Sequence, residues 1–368
     1  MNKLLKIVLC LSVLISTGVV NAEDEVTMNH QKLLPVESII IGEKMAIYSH
    51  VLAENRIVQI ALPASYAKYP DQTYPVLYLL DGESNFHYLT GIISRLTRMP
   101  YPSMPEMIIV GINNTNRTRD LTPSVVLEED LDDAMKARVG AVNGGNPAFF
   151  QFLDAELIPA IEAQYRTADL KIMIGHSFGG ITALNHLINS EKKMNAYIAH
   201  DPSMWWDDGV ILKRYEALEG QEIPATMLFI SQAGDGSRKG KAEHYGSISA
   251  LNQYLDTHPI VGLDTTFTAY PNEDHGSVIM PGNIDALKLI FEDIQLNIKS
   301  LPDNPELIKT QYALLSEKLG THIQPSEAYL SAVMDYFKKI NRSDLVEYIQ
   351  HYMKEISPEA NAEGENQL

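Results

Sequence analysis

Short, almost wholly apolar runs alternating with helix-like stretches constrain this chain more than any other feature. Residues 74–80, 106–112, 170–174, 196–199 and 227–231 are such runs, the pattern of strands buried on both faces. Residues 44–49, 56–62 and 265–270 read as further strands. Between the runs lie helix-like segments at 147–165, 178–189 and 281–298, the first with a kink or break expected at Pro159. Strands alternating with helices fold through right-handed crossovers into a mostly parallel sheet covered on both faces.

One junction in this pattern carries chemistry. The run Ile172-Met173-Ile174 leads directly into Gly175-His176-Ser177-Phe178-Gly179-Gly180, and a helical segment follows. A G-x-S-x-G match is weak alone, but a strand entering and a helix leaving is the setting of a nucleophile elbow, where the serine hydroxyl stands exposed on a strained turn. Ser177 is the candidate nucleophile. The Phe178 N–H, at the positive end of the helix, is the first oxyanion donor. The second is expected from the loop after residues 74–80, at Gly82 or Glu83.

In folds built on such an elbow the chain order is nucleophile, acid, histidine. Pro271-Asn272-Glu273-Asp274-His275-Gly276-Ser277 follows the last expected strand and precedes a helix, which makes His275 the candidate base. His176 reads as a packing residue off the elbow; His87, His200, His244 and His258 have no comparable placement. The acid is expected after the run 227–231, where Asp235 stands nearest the strand end and Glu243 opens the next helix. That glycine-rich loop fails the phosphate-binding pattern G-x-x-x-x-G-K-[ST], because Ala242 follows Lys241. No H-E-x-x-H helix is present, so the reading includes neither metal nor cofactor.

The 368 residues carry a formal net charge of −18. A chain this acidic lacks the basic stripe that nucleic acid requires and is not drawn to an anionic membrane. Lys3 and Lys6, an apolar stretch from Ile7 to Ile15 and Val20-Asn21-Ala22 before Glu23 read as a cleaved export signal over residues 1–22. The one cysteine, Cys10, lies inside it. A mature chain free of cysteine fits a bacterial periplasm, or secretion, better than a disulfide-forming route.

Residues 23–300 read as the main domain. Three short amphipathic helices are expected within 301–357, with Ile308/Tyr312/Leu315, Leu330/Val333/Met334/Phe337 and Val346/Ile349/Met353 as apolar stripes, Gly320 as a C-cap and Ser343 as an N-cap. They read as an extension packing on the main domain, followed by a disordered tail over 358–368.

Taken together, Tyr78-Leu79-Leu80-Asp81-Gly82, Asn116-Arg117-Thr118-Arg119-Asp120-Leu121-Thr122-Pro123, the elbow, Pro202-Ser203-Met204-Trp205-Trp206-Asp207 and Asp274-His275-Gly276-Ser277 resemble the putative-esterase branch of α/β-hydrolases. That branch holds siderophore trilactone esterases, esterase D and mycolyltransferase-like enzymes. The likeness spans roughly residues 40–298 and excludes the helical extension. It implies the α/β-hydrolase fold and a serine triad without cofactor acting on a small-molecule ester, with Ser177 and His275 carried over. It favours Glu243 over Asp235 as acid, since family members place a glutamate in that helix. It also offers Trp205, Trp206, Arg117 and Arg119 as pocket residues. A general carboxylesterase ranks slightly ahead of a dedicated siderophore-ester hydrolase. Acyl transfer on the same triad, or a non-catalytic binding protein with a degenerate acid position, are the alternatives.

Overall fold

A computed structural model describes residues 38–356, apart from 100, 131–132, 134–135, 137–138, 140–141 and 235–241. The expected signal at 1–22 and the tail at 358–368 therefore lie outside the described residues. Each apolar run becomes a strand: β1 (Glu43–Ser49), β2 (Glu54–Ala61), β3 (Tyr74–Leu79), β4 (Ile108–Ile112), β5 (Thr167–His176), β6 (Ala196–His200), β7 (Glu222–Ala233) and β8 (Val261–Tyr270). They form one eight-stranded sheet in the order β1-β2-β4-β3-β5-β6-β7-β8. Strand β2 runs antiparallel to β1 and to β4, and the remaining neighbours are parallel. This is the α/β-hydrolase fold.

Strands β3, β4 and β6 are buried at every residue, which explains their lack of alternation. Successive residues serve opposite faces of the sheet. Tyr78 and Met173 join one apolar layer, with Ile181 and Leu184 from the helix after the elbow. Leu77, Leu79, Ile172 and Ile174 join the other, with Leu89, Leu287 and Ile290.

The helices are α1 (Gly82–Leu96), α2 (Arg117–Leu121), α3 (Asn146–Phe152), α4 (Ile158–Gln164), α5 (Phe178–Asn189), α6 (Val210–Glu216), α7 (Ala242–Thr257), α8 (Ile279–Ile290), α9 (Leu307–Lys318), α10 (Glu327–Lys339) and α11 (Ser343–Glu355). The expected break at Pro159 is a widened π turn over Leu153–Leu157 between α3 and α4. A proline has no N–H to donate and its ring crowds the preceding turn, so the wider turn relieves both. The helix expected over 281–298 ends early, at Ile290, with a 3₁₀ turn at Glu292–Ile294.

Residues from Ile41 onward form one compact unit, and the segment before it contributes only 38–40 to the described part. The last three helices lie on the α1/α8 face of the sheet. Ile308, Leu315, Leu330, Val333, Phe337 and Ile349 share the apolar layer that contains Leu77 and Ile172. Asn195 Nδ2 donates to Leu319 O at 2.9 Å and Glu327 N to Gln72 Oε1 at 2.9 Å, tying the extension to the segments just before β6 and β3. Gly320 adopts φ +61° just after α9, the left-handed turn of a helix C-terminus. Ser343 does not cap: it is the first residue of α11 and makes no capping bond. The serine that caps is Ser326, whose Oγ accepts from Tyr329 N at 3.2 Å. Among the described residues no helix is long and apolar enough to cross a membrane.

Phe337 is wholly buried in this layer, while Met334, in the same helix, is partly buried. Phe337→Ala is expected to lower the unfolding free energy by about 3–5 kcal/mol, and Met334→Ala by clearly less. Urea unfolding of the two variants measures the difference; equal small shifts would mean that the stripe is not packed. A chain ending at Ser300 would bare this face and is expected to aggregate.

Candidate active site

The elbow is built by a glycine and a strained serine. Ser177 has φ 59° and ψ −113°, a left-handed backbone that costs a side-chain-bearing residue about 1–3 kcal/mol. A Cβ on Gly175 would lie 2.0 Å from Gly179 O, so the turn closes only on glycine. The neighbouring strand end holds the turn: Ser177 N donates to His200 O at 3.0 Å, and Ser203 N donates to Ser177 O at 3.1 Å. The Ser177 hydroxyl shares a 3.0 Å hydrogen bond with the Ser203 hydroxyl. Phe178 N–H is the first of α5, where amides have no intrahelical acceptor.

His275 lies in the turn between β8 and α8, and its Nδ1 is 2.6 Å from Asp201 Oδ2. Asp201, not Glu243 or Asp235, is thus the carboxylate bonded to His275 among the described residues. The side chain of Glu243 and all of Asp235 lie outside them. Asp201 is the first residue after β6, whereas the sequence reading placed the acid after β7. Strands β6 and β7 are neighbours, paired at His200 and Ser231, and Asp201 N donates to Ser231 O at 2.8 Å. A carboxylate leaving β6 therefore reaches the end of β8 across the tip of β7.

The Asp201 side chain is wholly buried. Its Oδ1 accepts from Ala233 N at 2.9 Å, and Oδ2 accepts from His244 Nε2 at 3.0 Å as well as from His275. Burial alone would raise its pKa, but the bonds from His244, His275 and Ala233 outweigh it and hold the carboxyl well below the usual range. An ionised carboxylate only accepts, so both imidazole nitrogens facing it carry hydrogen. Neutral His275 then has its lone pair on Nε2, the nitrogen a general base requires.

Two further histidines stand close. His176 packs against the base itself, ring centroids 4.5 Å apart, and so does not point away from the site as the sequence suggested. Burial, reinforced by His275 and His200, pushes it down to about 4. His200 is buried between Ser231 Oγ (2.8 Å) and Asn283 Oδ1 (3.0 Å), and burial pushes it also to about 4. Both rings are uncharged near neutral pH. Nothing in its own segment singled out His244, which reaches the site from α7.

The expected oxyanion loop begins α1. Gly82 is glycine because α1 packs on β4: an added Cβ would meet Gly111 C at 2.6 Å and Ile112 N at 2.8 Å. The Gly82 and Glu83 amides occupy the first turn, where N–H groups are free of helical acceptors. Before them Asp81 takes φ 54° and receives both Nε (2.6 Å) and Nη2 (2.8 Å) of Arg117. Arg117 Nη2 also donates to His176 O at 3.3 Å, and the guanidinium lies over Phe178, 5.4 Å from its centroid. Arg117 thus clamps the α1 loop to the elbow.

The other proposed pocket residues divide. Trp205 is half-buried with its ring 6.0 Å from Phe178. Trp206 is only 1% exposed and its Nε1 donates to Ser124 O at 3.2 Å, which makes it core. Arg119 is committed to Glu54 (3.0 and 2.6 Å) and Asp120 (2.6 Å), beside the fully buried Arg56, itself bonded to Asp120 and Glu54. Trp206 also packs edge-on against Phe178, centroids 5.3 Å apart, but from within the core; Trp205 and Arg117 are the two that contact Phe178 with surface left exposed. Asp201, His244 and His275 offer three ligand atoms within 4.8 Å of one another, but hydrogen bonds inside the cluster already account for them.

The profile of the Esterase family, described as "Putative esterase", matches residues 49–254. The chain is 28% identical over 239 residues to the ferri-bacillibactin esterase BesA of Bacillus subtilis, covering 61% of this chain and 82% of that one. It is 25% identical over 227 residues to the apo-salmochelin esterase of Escherichia coli, covering 60% and 69%. Among solved structures, an IroE-like serine hydrolase from Shewanella oneidensis superposes with a TM-score of 0.78 at 30% identity, over 86% of this chain and all of that one. That share exceeds what residues 1–300 provide, so the likeness continues into the helical extension, which the sequence reading had set outside the family pattern. Matched over more than half its length, the chain belongs to the Putative esterase family of α/β-hydrolases and is a serine esterase.

Proposed function

We propose that the protein hydrolyses siderophore-type esters through an acyl-enzyme on Ser177, with His275 as base and Asp201 as the acid of the triad. The observation that carries the triad is the 2.6 Å bond from His275 Nδ1 to the buried, ionised Asp201. In this reading Ser177 Oγ attacks the ester carbonyl while His275 Nε2 takes its proton. Asp201 fixes the tautomer and stabilises the imidazolium. The amides of Phe178 and of Gly82 or Glu83 bind the oxyanion, and the Asp81–Arg117 clamp sets the distance between those two donors. His275 returns the proton to the leaving alcohol, and water then cleaves the acyl-enzyme by the same route in reverse. For attack the Ser177 hydroxyl turns from its 3.0 Å bond with Ser203 to His275 Nε2.

The substrate class rests on the relatives, which act on ferri-bacillibactin and apo-salmochelin, and on the surface beside the elbow. Trp205 and Phe178 offer aromatic faces there, and Arg117 is a half-exposed cation. Aromatic rings bearing acidic hydroxyls suit that combination. This reverses the ranking from sequence, which put a general carboxylesterase first. Export by the expected signal at 1–22 would place the activity in the periplasm or outside the cell.

Ser177→Ala and His275→Ala are each expected to lower kcat by several orders of magnitude with the fold intact, and the double variant to be little worse than either. Near-wild-type turnover in folded Ser177→Ala would end the proposal. Asp201→Asn is expected to cost about 10⁴ in kcat, because the amide favours the wrong imidazole tautomer. Glu243→Gln and Asp235→Asn should change kcat less than about threefold; a large loss in either would move the acid back to α7 or its approach.

The pH profile follows from Asp201. Because its pKa is lowered, the carboxylate stays charged throughout the acid limb of kcat/KM. Asp201 then adds no proton of its own to that limb, and loss of activity with the added slope of a titrating carboxylate would contradict the lowered pKa. For the substrate, kcat/KM on a catechol trilactone is expected to exceed that on short-acyl nitrophenyl esters by about a hundredfold, nearly 3 kcal/mol of transition-state binding. Equal values would restore the general carboxylesterase.

A further inference from the structure

We infer that His244 is a positioning residue of the triad, a second imidazole that locks the Asp201 carboxylate in the orientation His275 needs. The inference rests on Asp201 being the triad acid. The carboxylate torsion of an aspartate is broad and two-fold, so a buried carboxylate is aimed only by its donors. Asp201 has three. Ala233 N holds Oδ1 at 2.9 Å, and Oδ2 is shared by His275 at 2.6 Å and His244 at 3.0 Å. Of these, His275 is the partner whose own charge changes in every catalytic cycle, so it cannot also be the fixed reference. Ala233 N fixes one oxygen and leaves the carboxylate plane free to rotate about it. His244 supplies the second fixed point and thereby defines the plane.

The surroundings of His244 support a donor role. Its side chain is 14% exposed against a wholly buried acceptor, so the bond is shielded from competing water. Its ring stands edge-on to His275, centroids 5.6 Å apart at 82°, and 5.2 Å from Tyr245. Those ring contacts accompany the 3.0 Å approach of Nε2 to Asp201 Oδ2. Since an ionised carboxylate cannot donate, His244 must be the Nε2–H tautomer. Its bond also draws charge from Oδ2, which keeps the shared proton on His275. Helix α7 therefore enters the site after all, through the residue following Glu243.

The test uses the full chain, a nitrophenyl ester and histidine-labelled protein. His244→Phe removes the donor and keeps a ring in place. It is expected to lower kcat about 10- to 100-fold with KM within twofold. His244→Gln, whose amide can donate from nearly the same position, should retain at least a third of wild-type kcat. In the unmodified protein the nitrogen-15 spectrum should show His244 protonated at Nε2. In the fluorophosphonate adduct of Ser177, the downfield proton of the His275–Asp201 bond should move in His244→Phe and stay in His244→Gln. The inference is overturned by His244→Phe turning over within threefold of wild type, by equal losses in Phe and Gln, or by an Nδ1–H tautomer. The tautomer and the Gln variant decide it if His244→Phe does not fold. Failure of the triad itself would read differently: wild-type Ser177 would resist the fluorophosphonate while the His244 tautomer still reported its bond to Asp201.

Discussion

A buried carboxylate that must stay charged is the constraint around which this site is organised. Asp201 has no solvent to stabilise it, and an unpaired buried carboxylate costs several kcal/mol or takes up a proton. Its hydrogen bonds to a backbone amide and two imidazoles solve that problem. They also dictate the rest: the tip of β7 must present Ala233 N, α7 must deliver His244, and the turn after β8 must deliver His275. The chain elements on that side of the sheet are held in common by one residue.

The same edge of the sheet also carries strain. Asp81 after β3, Ser177 after β5 and Asp201 after β6 all have positive φ, at 54°, 59° and 40°, and none is glycine. Left-handed backbone costs such residues about 1–3 kcal/mol each, and each case is over-determined by its neighbours. Arg117 grips Asp81 with two bonds, the end of β6 grips Ser177, and Ser231 and Ala233 grip Asp201. Three adjacent strands thus end in positive-φ residues at the carboxyl edge of the sheet, where open α/β sheets place their ligands.

What was legible in the sequence was whatever depends on local pattern. The strands could be read because a strand buried on both faces must be apolar throughout. Ser177 could be read because only glycine fits at 175, and His275 because it follows the last strand in a turn-forming segment. The contact of His275 with Asp201 could not be read, because the expectation for the acid relied on a rule of strand order, and two neighbouring strand ends both lie within reach of the same imidazole. The residue was nonetheless visible: Asp201 follows the run 196–199 by one histidine, much as Asp81 follows the run 74–80 directly. His244 was illegible, because its role depends on where α7 lands and on nothing in its own segment.

The pocket residues show the same limit at finer grain. Trp205 and Trp206 are adjacent, and so nearly are Arg117 and Arg119; both tryptophans pack on Phe178, yet one of each pair keeps exposed surface beside the elbow and the other is built into the frame. The division follows from which partner needs burial satisfied. Trp206 sinks into the core because Ser124 O accepts its indole N–H. Arg119 is taken by Glu54 and Asp120, whose charges flank the buried Arg56. Arg56 would otherwise be an uncompensated charge between Phe149 and Phe152. That cluster anchors α2 through Arg119 and Asp120, and Arg117 at its start holds Asp81 while keeping part of its side chain exposed. The cation left beside the elbow is available because its neighbour two residues on is not.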